Sequence, residues 1–262
     1  MPRTLVRFHA HPDDEAIATG GTMARAAAEG HRVVLVLATR GELGETPGMP
    51  SGLAHDERLA EIRTAETEAA SRILGVARVT YLGYHDSGMA GEPTNHHDGC
   101  FAAADLDEAA ARLAAVLTEE EADVLTVYDE NGGYGHPDHI QVHHVGRRAA
   151  ELAGTPRVYE STLNRDHIIG LMRARAAELG ELADMPDPDD FDMGSPAAEI
   201  TTTVDVRDFV GEKRAAMAAH ASQISGESFF LQMPAEAFRE AFGWEWFIRR
   251  GPRPAEIESW LF

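Results

Sequence analysis

Residues 32–39 read RVVLVLAT. A strand with one face in water alternates apolar and polar residues. This run is apolar from Val33 to Ala38 and rich in β-branched side chains, so both faces are expected to be buried. Such strands lie inside parallel sheets with helices packed on either side. The same pattern continues outward in both directions. Upstream, residues 5–8 read as a strand and residues 15–29 as a helix stopped by Gly30. Downstream come a helix at 58–74 closed by Gly75, a strand at 78–82, a helix at 105–120, a strand at 123–128, a helix at 137–152 and a strand at 157–161. This alternation predicts an α/β fold: a Rossmann-like, mostly parallel sheet with helices on both faces.

The pattern weakens after about residue 163. A helix near 168–182 leads into MPDPDDFDMGSP (185–196), which reads as loop or linker. A strand at 199–206, a helix at 210–224 and an aromatic-rich tail follow. The expected organisation is a catalytic region over residues 1–165, with a smaller C-terminal α+β region over 166–262 packed on it as one domain overall.

The chain has 262 residues, with 23 Lys and Arg against 44 Asp and Glu, a net charge of −21. An acidic surface repels nucleic acid and anionic membranes, so neither is an expected partner. The single cysteine, Cys100, excludes an internal disulfide. No apolar run reaches the ~18 residues of a membrane span, and no signal-peptide core is present. The expected location is the cytoplasm, and the expected partner is a small-molecule substrate. A homo-oligomer is compatible with the sequence.

Two related motifs occupy strand-to-helix junctions. HAHPDDE (9–15) follows the first strand, and NGGYGHPDH (131–139) follows the strand at 123–128. Proline suits the first helical turn, and acidic residues beside it sit at the positive end of the helix dipole. Ligands in open parallel sheets bind outside the carboxyl ends of the strands, so the motifs can meet in space. They would bring together His11, Asp13, Asp14, Glu15, His136, Asp138 and His139. Charged groups crowded at a strand end call for a positive partner. Two histidines and a carboxylate form a frequent set for catalytic zinc.

Each residue also has a plainer reading. Asp13 and Asp14 alone suit a helix start, and His11 alone suits a satisfied polar side chain; the paired motifs shift the balance to a metal. His96 and His97, near Asp98 and Cys100, read as a surface loop. His143, one turn from His139, either faces the site or packs beside it. His220 reads as ordinary helix packing. Gly20-Gly21 is too weak a signal for a phosphate loop.

HPDDE and HPDH together resemble the zinc-dependent N-deacetylases of the LmbE/PIG-L family. The nearest likeness is to the actinobacterial mycothiol branch, which contains the N-acetylglucosaminyl-inositol deacetylase and the mycothiol S-conjugate amidase. The likeness covers roughly residues 4–165, including LGYHDSGMAG (82–91) and YDENGGYGHPDH (128–139); AAHASQI (218–224) is its best stretch in the tail. It implies that His11, Asp14 and His139 hold Zn2+, with Fe2+ as the other candidate ion. It implies that Asp13 is the general base, that His136 stabilises the oxyanion and protonates the amine, and that Asp138 orients His136. Tyr134 would polarise the carbonyl, and Arg63 and Asp86 would hold sugar hydroxyls. GYGHPDH and DSGMAG are similar to the deacetylase side, whereas DENGGY and DGCF (98–101) are similar to the amidase side. Ala18 stands where the amidase has a lysine.

The chemistry agrees with that resemblance. Zinc lowers the pKa of its water to about 7, and a nearby carboxylate can take the proton. The expected activity is hydrolysis of the N-acyl amide of an N-acetylglucosamine-type conjugate. The alternatives are a mycothiol S-conjugate amidase and a deacylase of a natural-product amino sugar. Two readings from other classes are a non-haem iron oxygenase and a catalytically dead binding module. The α/β pattern opposes the first, and the intact residue set opposes the second.

Overall fold

The computed structural model describes residues 1–46, 57–179 and 187–262. Seven strands form one sheet: β1 (Thr4–His9), β2 (Arg32–Leu37), β3 (Arg78–Tyr81), β4 (Val124–Tyr128), β5 (Arg157–Thr162), β6 (Thr202–Asp205) and β7 (Trp244–Arg249). The helices are α1 (Asp14–Ala28), α2 (Glu57–Leu74), α3 (Leu106–Glu119), α4 (Gly132–Gly135), α5 (Pro137–Ala153), α6 (Arg165–Leu179), α7 (Val210–Ala219), α8 (Phe229–Gln232) and α9 (Ala235–Phe242). None among the described residues is long and apolar enough to cross a membrane.

The sheet order is β3-β2-β1-β4-β5-β7-β6. The first five strands are parallel, and β7 runs antiparallel between β5 and β6. The unbroken apolar run of β2 is explained by its two covered faces. Val33, Leu35 and Leu37 pack with Met23 of α1, Leu74 of α2 and Met217 of α7. Val34 and Val36 point the other way, to Leu113 of α3 and to Val142 and Val145 of α5. The expected α/β sheet is therefore present, with boundaries shifted by a residue or two. Asp105 caps α3 by accepting the Glu108 N–H at 2.9 Å, and Gly75 takes a left-handed φ of 71° just beyond α2.

The C-terminal elements differ more from expectation. The helix expected over 210–224 ends at Ala219, with His220 as its cap. Residues 220–224 turn back instead, because the Gln223 and Ile224 N–H groups both donate to the His220 carbonyl at 3.0 and 2.8 Å. The aromatic tail forms α9 and β7. Val204, Val206, Met217, Phe238, Phe247 and Leu261 share one core with Leu5, Met23 and Leu35. Part of the stretch expected as a linker, residues 185 and 186, lies outside the described residues, as does the end of the helix expected to run to 182.

Candidate active site

β1 and β4 lie side by side, and α1 and α5 cover opposite faces of the sheet. Strand order reverses between β1 and β4, the point at which open α/β sheets form a crevice outside the carboxyl ends of their strands. His11 and Asp13 lie in the loop after β1, and Asp14 opens α1. His136 caps α5, and His139 lies in its first turn. The motifs meet there, 127 residues apart at the His11–Asp138 contact.

Three donor atoms converge. Asp14 Oδ2 lies 3.4 Å from His11 Nδ1 and 3.3 Å from His139 Nε2. His139 Nδ1 lies 3.1 Å from the Gly132 carbonyl. A carbonyl only accepts, so Nδ1 carries the proton and Nε2 presents its lone pair. That Nε2 is buried and has no hydrogen-bond partner among the described residues. His11 Nε2 lies 3.1 Å from Asp138 Oδ2, which leaves its Nδ1 toward Asp14. A carboxylate behind one imidazole and a carbonyl behind another is the usual outer support of metal-bound histidines. Electrostatics point the same way. Burial disfavours the His11 cation, yet Asp86, Asp138 and Asp14 together outweigh it and hold the ring well above the ordinary histidine range. Burial likewise opposes the Asp14 anion, yet positive charge placed at His139 and His11 holds its carboxyl well below the ordinary range. The cluster favours positive charge at its centre.

Two other donor groups share His11: one with His136 and His139, the other with Asp86 and Asp138, each within 4.8 Å. The second group is already engaged. Asp138 accepts from the Ser87 N–H at 3.0 Å and from the Ser87 hydroxyl. Asp86 accepts from the Leu43 N–H at 3.2 Å and the Gly88 N–H at 2.9 Å. The expected ligands His11, Asp14 and His139 meet at Asp14 Oδ2, an oxygen that also accepts the His11 backbone N–H at 2.9 Å.

Asp13 sits beside this set without joining it. Its φ of 97° is outside the range that L-residues favour. Burial, aided by the Asp14 charge and opposed by Arg63, raises its carboxyl to about 6. Arg63 Nη2 is 3.5 Å from Asp13 Oδ2. The Arg63 Nη groups both donate to backbone carbonyls, Nη1 to Gly41 O at 2.7 Å and Nη2 to Pro12 O. Asp86, also expected at the sugar, is buried and faces His11 Nε2 at 3.5 Å.

His136 and Asp138 are arranged differently from the expected dyad. The Asp138 carboxylate is committed to His11 and Ser87. The His136 ring instead accepts the Asp138 backbone N–H on Nδ1 at 3.1 Å, because His136 is the N-cap of α5. Burial and the neighbouring His11 and His139 lower its pKa to about 4, which favours the neutral ring, and with Nδ1 accepting the Asp138 N–H its proton sits on Nε2. Tyr134 is half exposed and meets the edge of His139 with centroids 4.9 Å apart.

Other residues, to which the motifs assign no role, support the site. Tyr128 stacks on His139 at 4.3 Å and 12°, and its hydroxyl lies 2.9 Å from His9 Nδ1. His220 is fully buried, with Nε2 2.6 Å from Glu15 Oε1; the expectation of ordinary packing is replaced by a polar contact inside the site. The tail resemblance AAHASQI was the signal available for it. His143 packs beside the site, 3.1 Å from Tyr128 O and 3.2 Å from Glu160. His96 and His97 are exposed, as expected.

The family model described as PIG-L, GlcNAc-PI de-N-acetylase, matches residues 6–150, a span that includes both motifs. A Streptomyces avermitilis protein named 1D-myo-inositol 2-acetamido-2-deoxy-alpha-D-glucopyranoside deacetylase is 43% identical over 285 residues, covering 99% of this chain and 96% of the relative. Among solved structures, N,N'-diacetylchitobiose deacetylase from Pyrococcus horikoshii superposes with a TM-score of 0.62 at 21% identity, over 94% of this chain and 83% of that one. GalB, the 4-carboxy-2-hydroxymuconate hydratase from Pseudomonas putida KT2440, reaches 0.63 at 20% identity, over 97% and 98%. Two different chemistries on one scaffold show that these structures speak to the fold alone. Sequence identity over nearly the whole length decides the family: this chain is a member of the PIG-L family of GlcNAc-PI de-N-acetylases.

Proposed function

We propose that the protein is a zinc-dependent deacetylase that hydrolyses the N-acetyl amide of an N-acetylglucosaminyl-inositol. The reading rests on one observation above all. His139 Nε2 is a buried lone pair without a hydrogen-bond partner among the described residues, aimed at Asp14 beside His11. A divalent cation satisfies all three groups, and two imidazoles with a carboxylate suit Zn2+. His11, Asp14 and His139 would hold it; Fe2+ accepts the same donors. Bound there, the ion supplies Lewis acidity to the amide carbonyl and acidity to a water molecule.

The remaining steps belong to the chain. Asp13, ionised near neutral pH and steadied by Arg63, takes the proton of the attacking water. The neutral His136 ring donates its Nε2–H to the tetrahedral oxyanion, since Nδ1 is committed to the α5 cap. Protonated Asp13 then delivers the proton to the departing amine nitrogen as the C–N bond breaks. Acetate and the free amino sugar leave. This scheme moves the acid role from His136 to Asp13, because a neutral imidazole is a poor acid. Tyr134 lies at the mouth, where its ring and hydroxyl can close over the acyl group.

The substrate reading is supported by the relatives' names and by Ala18, which favours the glycoside over a bulky thiol conjugate. The test measures kcat/KM with amine detection on N-acetylglucosaminyl-inositol and on a mycothiol S-conjugate. Faster turnover of the glycoside is expected, and a clear preference for the conjugate overturns the assignment. His139→Ala should fold yet bind no zinc by elemental analysis; full occupancy in that variant would exclude the ligand set.

A further inference from the structure

We infer that Glu15 and His220 are positioning residues for Asp13, and that with Arg63 they clamp the peptide bond that aims it. The inference rests on the reading of Asp13 as the base.

The Pro12–Asp13 peptide unit is held at both ends. Its carbonyl accepts from Arg63 Nη2. Its N–H donates to Glu15 Oε2 at 3.0 Å. The next bond in the chain, N–Cα of Asp13, carries the φ of 97°. A non-glycine residue held at such an angle persists only where its surroundings over-determine it. Fixing the plane on one side of a strained torsion is one way to do so. The clamp therefore fixes the direction in which the Asp13 side chain leaves the backbone.

Glu15 is itself fixed from the far end of the chain. It is fully buried, and its other oxygen meets His220 Nε2 at 2.6 Å. His220 is anchored by the turn that ends α7. The adjacent Ser222 ties that turn to α2, giving its N–H and hydroxyl to Glu66 at 2.8 and 2.7 Å. Arg63 lies on the same helix, one turn before Glu66. Both jaws of the clamp thus trace to α2 and to the α7 turn, so a shift of either would move the Asp13 carboxylate. A general base needs its acceptor within hydrogen-bond reach of the water, and misplacement by ~1 Å can reduce a rate by ~100-fold.

The test compares Asp13→Asn, Glu15→Ala, Glu15→Gln, His220→Ala and His220→Gln, with kcat, KM, zinc content and thermal unfolding measured on each. Glu15→Gln keeps an acceptor for the Asp13 N–H, and its amide N–H donates to His220 Nε2 when that ring carries its proton on Nδ1, a nitrogen with no hydrogen-bond partner among the described residues. His220→Gln keeps a donor for Glu15. Expected for Glu15→Ala and His220→Ala is a ~100-fold fall in kcat, with KM and zinc content within about twofold. Both glutamine variants should recover most of that loss. If the alanine variants do not fold, the double variant Glu15→Met with His220→Leu replaces the pair by apolar groups of similar size, an exchange that cores often accept. It should keep zinc and lose kcat to the same extent. Wild-type kcat in His220→Ala or the double variant, with Asp13→Asn inactive, overturns the clamp and leaves the base intact. Zinc loss in step with activity also overturns it, because the pair would then serve the ligands. Near-normal turnover by zinc-loaded Asp13→Asn removes the base reading itself.

Discussion

At the scale of single residues, Asp13 concentrates the site's requirements. It must be ionised to accept a proton, and burial raises its carboxyl to about 6. The group works in its deprotonated form, so activity falls as pH drops through its pKa. A dication nearby favours the anion, so the acid limb of kcat/KM is expected at or below about pH 6. Asp13→Asn should abolish that limb and lower kcat by about 10²–10⁴-fold. A pH–rate profile with its acid limb above pH 7 would contradict the assignment. The titratable residue types of HPDDE and HPDH were legible in the sequence because each stands in a junction of recognisable form. Their orientations were not. Asp138 is two residues from His136, yet its carboxylate faces His11 across the crevice, because the first turn of α5 points it there. Local spacing says which groups are near, while the helix direction decides which of them touch.

At the scale of elements, the short α4 turn places the rest of the second motif. Gly132 has φ 61°, and a Cβ there would lie 2.6 Å from His139 Cβ and 2.8 Å from Ile140 N. The same residue's carbonyl fixes the His139 tautomer. Gly132→Ala is expected to push α4 away from α5 and weaken zinc binding by at least tenfold, a loss of the size seen when outer support of a ligand is removed. Competition with a chelator measures this, and unchanged affinity would separate α4 from the metal site. Gly21, read in the sequence as a weak phosphate-loop signal, also serves packing. A Cβ there would meet Val206 at 2.6 Å. Its N–H and that of Thr22 donate to Glu245 of β7, both at 2.9 Å. The long amphipathic helices and buried strands were readable from periodicity. Strand β7 was not, since WEWFIR alternates irregularly and its neighbours lie far away in the chain.

At the scale of the whole molecule, the C-terminal third is joined to the rest by polar contacts as well as by core. Glu245 of β7 accepts the Gly21 and Thr22 N–H groups of α1, both at 2.9 Å, and Lys213 Nζ lies 2.7 Å from its Oε1, both side chains buried. Glu245→Ala would strand the lysine cation, with an expected loss of about 3–5 kcal/mol. We propose that the chain unfolds as one unit, the division near residue 165 marking no independent part. Chemical denaturation should then give a single transition by fluorescence and circular dichroism, shifted as a whole in Glu245→Ala. Two separated transitions would overturn the single unit. The sequence left this open because the contacts that decide it, Glu245 to α1 and His220 to Glu15, span more than 200 residues.

The position of β7 has a consequence for how the chain is made. Of the seven strands described, β7 is synthesised last, yet it lies inside the sheet, between β5 and β6. A ribosome adds about 5–20 residues per second, so the stretch between β6 and β7 takes roughly two to eight seconds to appear. During that interval β6 has no neighbour to pair with, and β5 presents an open edge to other nascent chains. Chaperone protection of this interval, rather than the stability of the finished protein, would then set how much enzyme a cell recovers. Stop codons before residue 244 would leave both histidine motifs intact on a sheet whose β5 edge stays unpaired.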